Sequence, residues 1–410
     1  MKHRLTGMQF ALAALMVTLS AISYFDRTAL SIAAPAVMKE FGFSEVAMGT
    51  VFSAFLLSYT LFMSPGGSAV DRFGARIVLT IAGFGAALFT GLLSLCSTIA
   101  SFAGVRLVFG AFTAPIYTAC ARVTSARFPV TAQAGVQAAI IGGSALGAAF
   151  SPIVFAKLMT AVGWRAAFWV AALITAALIA VWYTSIRDAP RPASQQTRST
   201  PWRLLLTDVN MQRLTVSYFL VNYFEYIFFY WMYYYFVEIR KLGADRSAFA
   251  ATILFLTMAV MTPLGGWLSD RLSAAYGLRF GRRAVAMTGM TLSAIFLYLG
   301  TAGYNVPATI ALLSLALGCC ACCEGPFWAT AIHIGGAEVG ATSGIMNTGG
   351  NLGGMFAPFF TPLIASRYGW TAALLFGCAM VLLSVVTFYL VDPGKRIVIT
   401  PATAAAPSSV

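Results

Sequence analysis

Gly66-Gly67-Ser68-Ala69-Val70-Asp71-Arg72 closes the second apolar segment of this chain, and Gly265-Gly266-Trp267-Leu268-Ser269-Asp270-Arg271 closes the eighth. The same order of small residues, acid and base therefore occurs twice. A second pair of stretches agrees: Leu146-Gly147, Pro152 and Gly163-Trp164 match Leu352-Gly353, Pro358 and Gly369-Trp370 with every spacing preserved. A duplicated set of membrane segments is the mark of a transporter whose halves rock around a site at the midplane.

The segments between these stretches are long and apolar. The chain has 410 residues, 59% hydrophobic and 10% charged, with mean hydropathy +0.81. A soluble domain carries about 25% charged residues. Runs long enough to span a bilayer, which takes about 20 residues, recur throughout, at about 9–36, 45–69, 76–96, 99–121, 133–160, 164–186, 213–237, 247–270, 284–303, 306–332, 340–366 and 370–391. The fold expected is an all-α polytopic membrane protein with twelve transmembrane helices in two six-helix pseudo-symmetric bundles. A bundle at 1–186, a polar linker at 187–212, a second bundle at 213–392 and a tail at 393–410 make up the chain. The apolar character of the first segment resumes after Asp26-Arg27, which is too long for a signal peptide.

The net charge is +13. In a soluble protein it would suggest nucleic acid; here it orients the chain. With both termini cytoplasmic, about 17 Lys and Arg fall on the cytoplasmic side and about 7 on the other, as the positive-inside rule requires. That predicts a multi-pass protein of the plasma (inner) membrane with the lipid bilayer, not nucleic acid, as partner, and a monomer suffices for the architecture. The seven cysteines all lie in apolar segments. The run at 319–323 lacks the spacing and His partners of a metal site, so it reads as small packing residues. Neither a metal nor a cofactor is expected, and no nucleophile with a nearby base suggests an enzyme.

Inside the fourth segment, Arg106 is a full charge in an apolar run. Such residues face a protein interior or a water-filled cavity, and the planar guanidinium fits a carboxylate bidentately. Arg106, Gly110, Thr113 and Tyr117 share one helical face. In the seventh segment Asn222 and Glu225 stand three apart, with Tyr218 and Phe229 on the same side. Glu324 and Trp328 stand four apart in the tenth, with Pro326 between them. Both glutamates sit where charge is costly unless a cation is near, which makes them candidate proton carriers. Asn347 and Asn351 share a face of the eleventh and could bind substrate hydroxyls or join helices. Asp71, Arg72, Arg76, Asp270 and Arg271 are candidate gating residues in the loops after segments two and eight.

Twelve segments in two related halves, with Gly67-x-x-x-Asp71-Arg72-x-Gly74-x-Arg76 after the second, resemble the major facilitator superfamily. Tyr24-Phe25-Asp26-Arg27, Phe52-Ser53-Ala54-Phe55 with Tyr59, Arg106, and Gly344-Ile-Met-Asn347-Thr-Gly-Gly-Asn351 resemble its anion:cation symporter branch, which holds hexuronate, galactonate and glucarate transporters. The resemblance implies substrate binding by Arg106, Tyr24 and Tyr59, with Thr113, Tyr117, Asn222, Trp328 and Asn347 lining the same cavity. It implies proton coupling by Asp26, joined here by Glu324 and Glu225. One departure matters. The branch typically has a Glu seven residues after the helix-4 Arg, and this chain has Thr113, which does not titrate near neutrality. The function expected is proton-coupled symport of a small organic anion, such as a sugar acid, by alternating access. A gradient-independent facilitator or exchanger, or a carrier of aromatic or dicarboxylic acids, is the alternative.

Overall fold

The computed structural model describes residues 6–186, 202–302, 305–336 and 339–397. They form helices α1 Gly7–Phe41, α2 Glu45–Phe73, α3 Ala75–Leu92, α4 Ile99–Thr113, α5 Ile116–Arg127, α6 Val130–Ser185, α7 Trp202–Thr207, α8 Val209–Tyr234, α9 Ala244–Tyr276, α10 Leu278–Thr301, α11 Val306–Ala321, α12 Glu324–Gly335 and α13 Val339–Tyr389.

Twelve spans result once three features are taken into account. First, α6 and α13 each contain a reversal, at Gly163 (φ 80°, ψ 157°) and Gly369 (φ 86°, ψ 160°). That backbone region is one that only glycine enters freely, so the duplicated Gly-Trp pairs each separate two spans. Second, α4 and α5 make a single span interrupted at Ala114-Pro115, and α11 and α12 make one interrupted at Cys322-Cys323. The sequence placed the disturbance in the tenth span at Pro326. The break falls earlier because a proline ring collides with the carbonyl four residues before it, here that of Cys322. Third, among the described residues nine stretches are long and apolar enough to cross a membrane, two of them double, and α8 is not one. Its tyrosines, Asn222 and Glu225 lower its hydropathy, yet it is mostly buried.

The duplicated glycines mark duplicated crossings. A Cβ on Gly66 would lie 2.9 Å from Pro115, and one on Gly265 would lie 2.3 Å from the Cys322 carbonyl oxygen. In each half, then, a glycine lets one helix press against the break in another.

The linker and tail differ in part from expectation. Residues 187–201 lie outside the described part. The second bundle starts earlier than 213, with α8 N-capped by Asp208, whose side chain accepts from the Met211 N–H. After α13 the chain is tied down. Arg279 pairs with Asp392, Arg282 donates to the Pro393 carbonyl at 2.9 Å, and the Ile397 N–H donates to the Ile334 carbonyl at 3.0 Å.

At the end opposite the chain termini, the two bundles are joined by named contacts. Glu45, at the start of α2, accepts from Tyr234 Oη at 2.7 Å and from Trp370 Nε1 at 3.3 Å. Ser53 Oγ donates to the Met355 carbonyl at 2.7 Å. Phe52 is fully buried against Tyr230 and Trp231, with ring centroids at 4.9 and 5.6 Å. The matching tryptophan of the first half serves its own half instead: Trp164 Nε1 donates to Glu40 at 2.8 Å, and Arg165 pairs with the same carboxylate.

Candidate functional site

Where α1, α2 and the α4–α5 span meet, a chamber forms around Arg27. Ser23, Tyr24, Arg27, Phe55, Tyr59, Thr113 and Tyr117 line it. The Arg27 guanidinium lies 5.0 Å from the ring of Tyr24, 4.9 Å from Phe55, 5.4 Å from Tyr59 and 5.4 Å from Tyr226. Aromatic faces attract a cation electrostatically and more so when it is desolvated. Arg27 Nη2 donates to Tyr226 Oη at 2.6 Å, which also joins the two halves across the chamber. Among the described residues no carboxylate lies within ion-pair distance of Arg27.

Arg106 occupies a different place from the one expected. It does not line that chamber and is 0% exposed. Its Nη2 donates to the Arg27 carbonyl at 2.9 Å, its guanidinium stacks near Phe55 and Phe109 at 4.9 and 5.3 Å, and its Nε and Nη1 have no partner. The reason is the register of α1: Arg27 itself reaches the chamber, and Arg106 lies behind it against the α1 backbone. Sequence reasoning named Arg27 only as the neighbour of Asp26. The signal that could have found it is its position, since a charge in the middle of an apolar span carries the same argument as Arg106.

Asp26 is 2% exposed, and its carboxylate turns away from Arg27. Consecutive helical residues point about 100° apart. Asp26 Oδ2 accepts from Thr175 Oγ1 at 2.7 Å and Oδ1 has no partner. It lines a second, largely apolar space with Phe109, Thr113 and Thr175. Thr113 borders both spaces, its hydroxyl turned back onto the carbonyls of Phe109 and Gly110 at 3.0 and 3.2 Å. Tyr117 Oη meets Ser20 Oγ at 3.0 Å, and the Tyr24 ring sits edge-on to Tyr117 and to Phe229.

The second half contributes two acids. Glu324 Oε2 accepts from Tyr218 Oη at 2.9 Å and from Trp328 Nε1 at 3.1 Å. Glu225 is 5% exposed and makes no hydrogen bond among the described residues. Asn222 Nδ2 is used locally, on the Tyr218 carbonyl at 2.9 Å. Asn347 and Asn351 reach across to Met63 Sδ at 4.0 and 3.8 Å, which joins helices of the two halves. These two asparagines and Asn222 are therefore engaged with protein, whereas Tyr24, Tyr59, Thr113 and Tyr117 line the chamber.

The candidate gating residues lie near the ends of their helices, apart from this chamber. Arg76 donates twice to the Tyr183 carbonyl, at 3.1 and 2.8 Å, and stacks on the Tyr183 ring. Arg72 lies over Phe73 and Arg271 over Trp267. Asp270 is exposed at the end of α9, and the Asp71 side chain lies outside the described part. Among the described residues no cluster of His, Cys, Asp and Glu could hold a metal ion.

Comparison with known proteins agrees with this architecture. The chain is 27% identical to the hexuronate transporter of Bacillus subtilis over 362 residues, covering 85% of this chain and 86% of that one. It is 26% identical to the D-galactonate transporter of Escherichia coli, covering 92% and 94%. A crystal structure of a bacterial homologue of the human lysosomal transporter Spinster, inward-facing and unoccupied, superposes with a TM-score of 0.82 at 13% identity, covering 95% and 98%, and shares the fold. The family model for the Major Facilitator Superfamily matches residues 16–278 and again 249–410, and the chain belongs to that superfamily as a multi-pass membrane transporter.

Proposed function

We propose that this protein is a secondary active transporter of a small organic anion, such as a sugar acid, driven by protons through alternating access. The observation that carries this reading is Arg27: a guanidinium in an aromatic chamber of the first half, held by one tyrosine hydroxyl of the second half and no acid. A buried charge without a counter-charge is costly, and a bidentate carboxylate would supply one. The hexuronate and D-galactonate transporters among the relatives are named for anions of this kind. Arg106 supports the site from behind by holding the Arg27 peptide, and Tyr24, Tyr59 and Tyr117 form its walls. Asn222, Trp328 and Asn347 are proposed to meet the substrate once the halves move.

Protons are proposed to travel on Asp26, whose Oδ1 is unpartnered, and on Glu324. With Asp71, Arg72, Arg76, Asp270 and Arg271 as gates and both termini cytoplasmic, the site would alternate across the plasma membrane of the cell as a monomer. The test is uptake of D-galactonate or a hexuronate into proteoliposomes under an inward proton gradient. Concentration above equilibrium that Asp26→Asn abolishes, with counterflow retained, supports the reading. A second reading, passive exchange, is favoured by Thr113, whose hydroxyl is already spent on the helix backbone where the branch carries an acid. Wild-type protein that equilibrates but never concentrates substrate would establish it.

A further inference from the structure

Two spaces lie side by side in the first half, and their walls differ. The chamber around Arg27 is aromatic and polar. The space beside it, between α1, α3, the α4–α5 span and α6, is walled mainly by apolar side chains such as Leu19, Leu79 and Ile179, and Asp26 is the only ionisable group among its lining residues. It measures about 20 Å³, which is room for one water and far too little for a substrate. Ser23 and Thr113 are the two residues that line both spaces.

Asp26 meets this space half-satisfied. Its Oδ2 accepts from Thr175 Oγ1 at 2.7 Å, whereas its buried Oδ1 has no partner. A carboxylate that ionises away from bulk water is costly unless hydrogen bonds reach it. Three groups of the wall suit a water, and three bonds are usual for a buried one. Asp26 Oδ1 accepts. Ser23, three residues earlier on the same helix face, offers a hydroxyl. Thr113 has spent its one proton on the carbonyls of Phe109 and Gly110, so towards the space its oxygen can only accept. The charged groups closest along α1 and α4 are Arg27, which faces the chamber, and Arg106, which donates to the Arg27 carbonyl. Neither lines the space, and α3, α5 and α6 bring no ionisable group to it.

From this geometry we infer that the space is a water site on the proton path, with Thr175 as the residue that positions the Asp26 carboxylate. The inference rests on the proposed role of Asp26 as a proton carrier and supplies its route. The water donates to Asp26 Oδ1 and to Thr113 and accepts from Ser23. When Asp26 is protonated, the water gives one proton to Oδ1 and takes one from the Ser23 hydroxyl, which takes one from the chamber, so no net charge stays on the relay. Substrate and proton use separate compartments that touch only at Ser23 and Thr113.

The experiment reads the site by infrared difference spectra between acidic and alkaline pH on the purified full chain, and the route by the pH profile of D-galactonate uptake into proteoliposomes. In the wild type, a carboxylic C=O band that Asp26→Asn removes should accompany a water O–H band that shifts in heavy-oxygen water. Thr175→Val should move the carboxylic band and shift the pH midpoint of uphill uptake by about one unit, the worth of one hydrogen bond to a charged group. Thr175→Ser, which returns the hydroxyl, should restore both. Ala86→Val, which fills the space, should remove the water band, as should Ser23→Ala, which covers the case in which the larger side chain prevents folding. A wild type with no isotope-sensitive water band tied to Asp26, or a Thr175→Val protein with the carboxylic band and pH profile of the wild type, overturns the inference and leaves the anion site standing. A wild type that equilibrates D-galactonate without concentrating it overturns the proton-coupled reading instead, and the infrared spectra, which need no transport, still decide the water site.

Discussion

At the scale of single residues, the two arginines separate by what surrounds them. Arg27→Ala should reduce affinity for the transported anion by roughly 30-fold or more, since losing one partner of a buried charge contact costs about 2–5 kcal/mol. Arg27→Lys should bind poorly, because a point charge replaces the bidentate fork. Calorimetry on the folded variants checks both. Arg106→Ala should also abolish binding, but with a drop in melting temperature, because it removes the donor to the Arg27 carbonyl from a fully buried position. An Arg106→Ala protein that melts like the wild type and still binds would show that it has no supporting role. Thr113 allows a gain-of-property test. Thr113→Glu places a carboxylate on the wall shared with Arg27. It should compete with substrate near neutral pH and release the site on acidification, so uptake becomes pH-dependent. The identities of these residues were legible in the sequence, as were their helices. Which arginine reaches the chamber was not. That depends on helix rotation about its axis, and a helix that is apolar almost all round has no polar stripe to fix its rotation.

At the scale of elements, the duplicated motifs were legible in sequence as a repeat, and the structure shows what they repeat. Two neighbouring glycines make the point sharply. Gly265→Ala would place a Cβ 2.3 Å from the Cys322 carbonyl oxygen, while the nearest atom to a Cβ on Gly266 is 4.0 Å away. The first substitution should destabilise the protein by about 1–3 kcal/mol through overpacking, and the second should be tolerated, as melting curves in detergent will test. The break at Cys322-Cys323 was only half legible, because a proline announces a disturbance but its ring acts one turn earlier. The weak hydropathy of α8 has the opposite lesson. Its aromatic and polar residues face protein, so a scale based on lipid transfer understates it. On the surface, Glu40 sits at the end of α1 with Arg165 and Trp164 as donors, and these hydrogen bonds hold its carboxyl below the usual range. A carboxyl lowered by folding stabilises the fold above its unfolded pKa, and that contribution is lost as pH falls through the folded value. The wild type should therefore lose its margin over Glu40→Gln on acidification, by a small amount, because the pair is largely exposed.

At the scale of the whole molecule, the twelve spans and the two halves followed from hydropathy and repetition, while the contacts that join the halves did not. Long-range pairs such as Glu45 with Tyr234 and Trp370 have no local pattern to announce them. These contacts must break if the end opposite the termini is to open. Glu45→Gln removes the charge from two hydrogen bonds and should shift the balance between conformations by about 1–2 kcal/mol, or roughly 5–30-fold. Distance measurements between spin labels on α2 and α8 would detect the shift, and an unchanged distribution would remove Glu45 from the latch. The two duplicated tryptophans give this a further consequence. Trp164 binds an acid of its own half, whereas Trp370 binds one across the divide, so the repeat is symmetric in sequence but not in bonding. Substrate arriving at the latched face must first break those bonds; substrate arriving at the other face need not break them. The carrier should therefore show different half-saturation concentrations from its two sides, and vesicles containing both insertion directions should give biphasic uptake that sidedness-selective inactivation resolves into two single components.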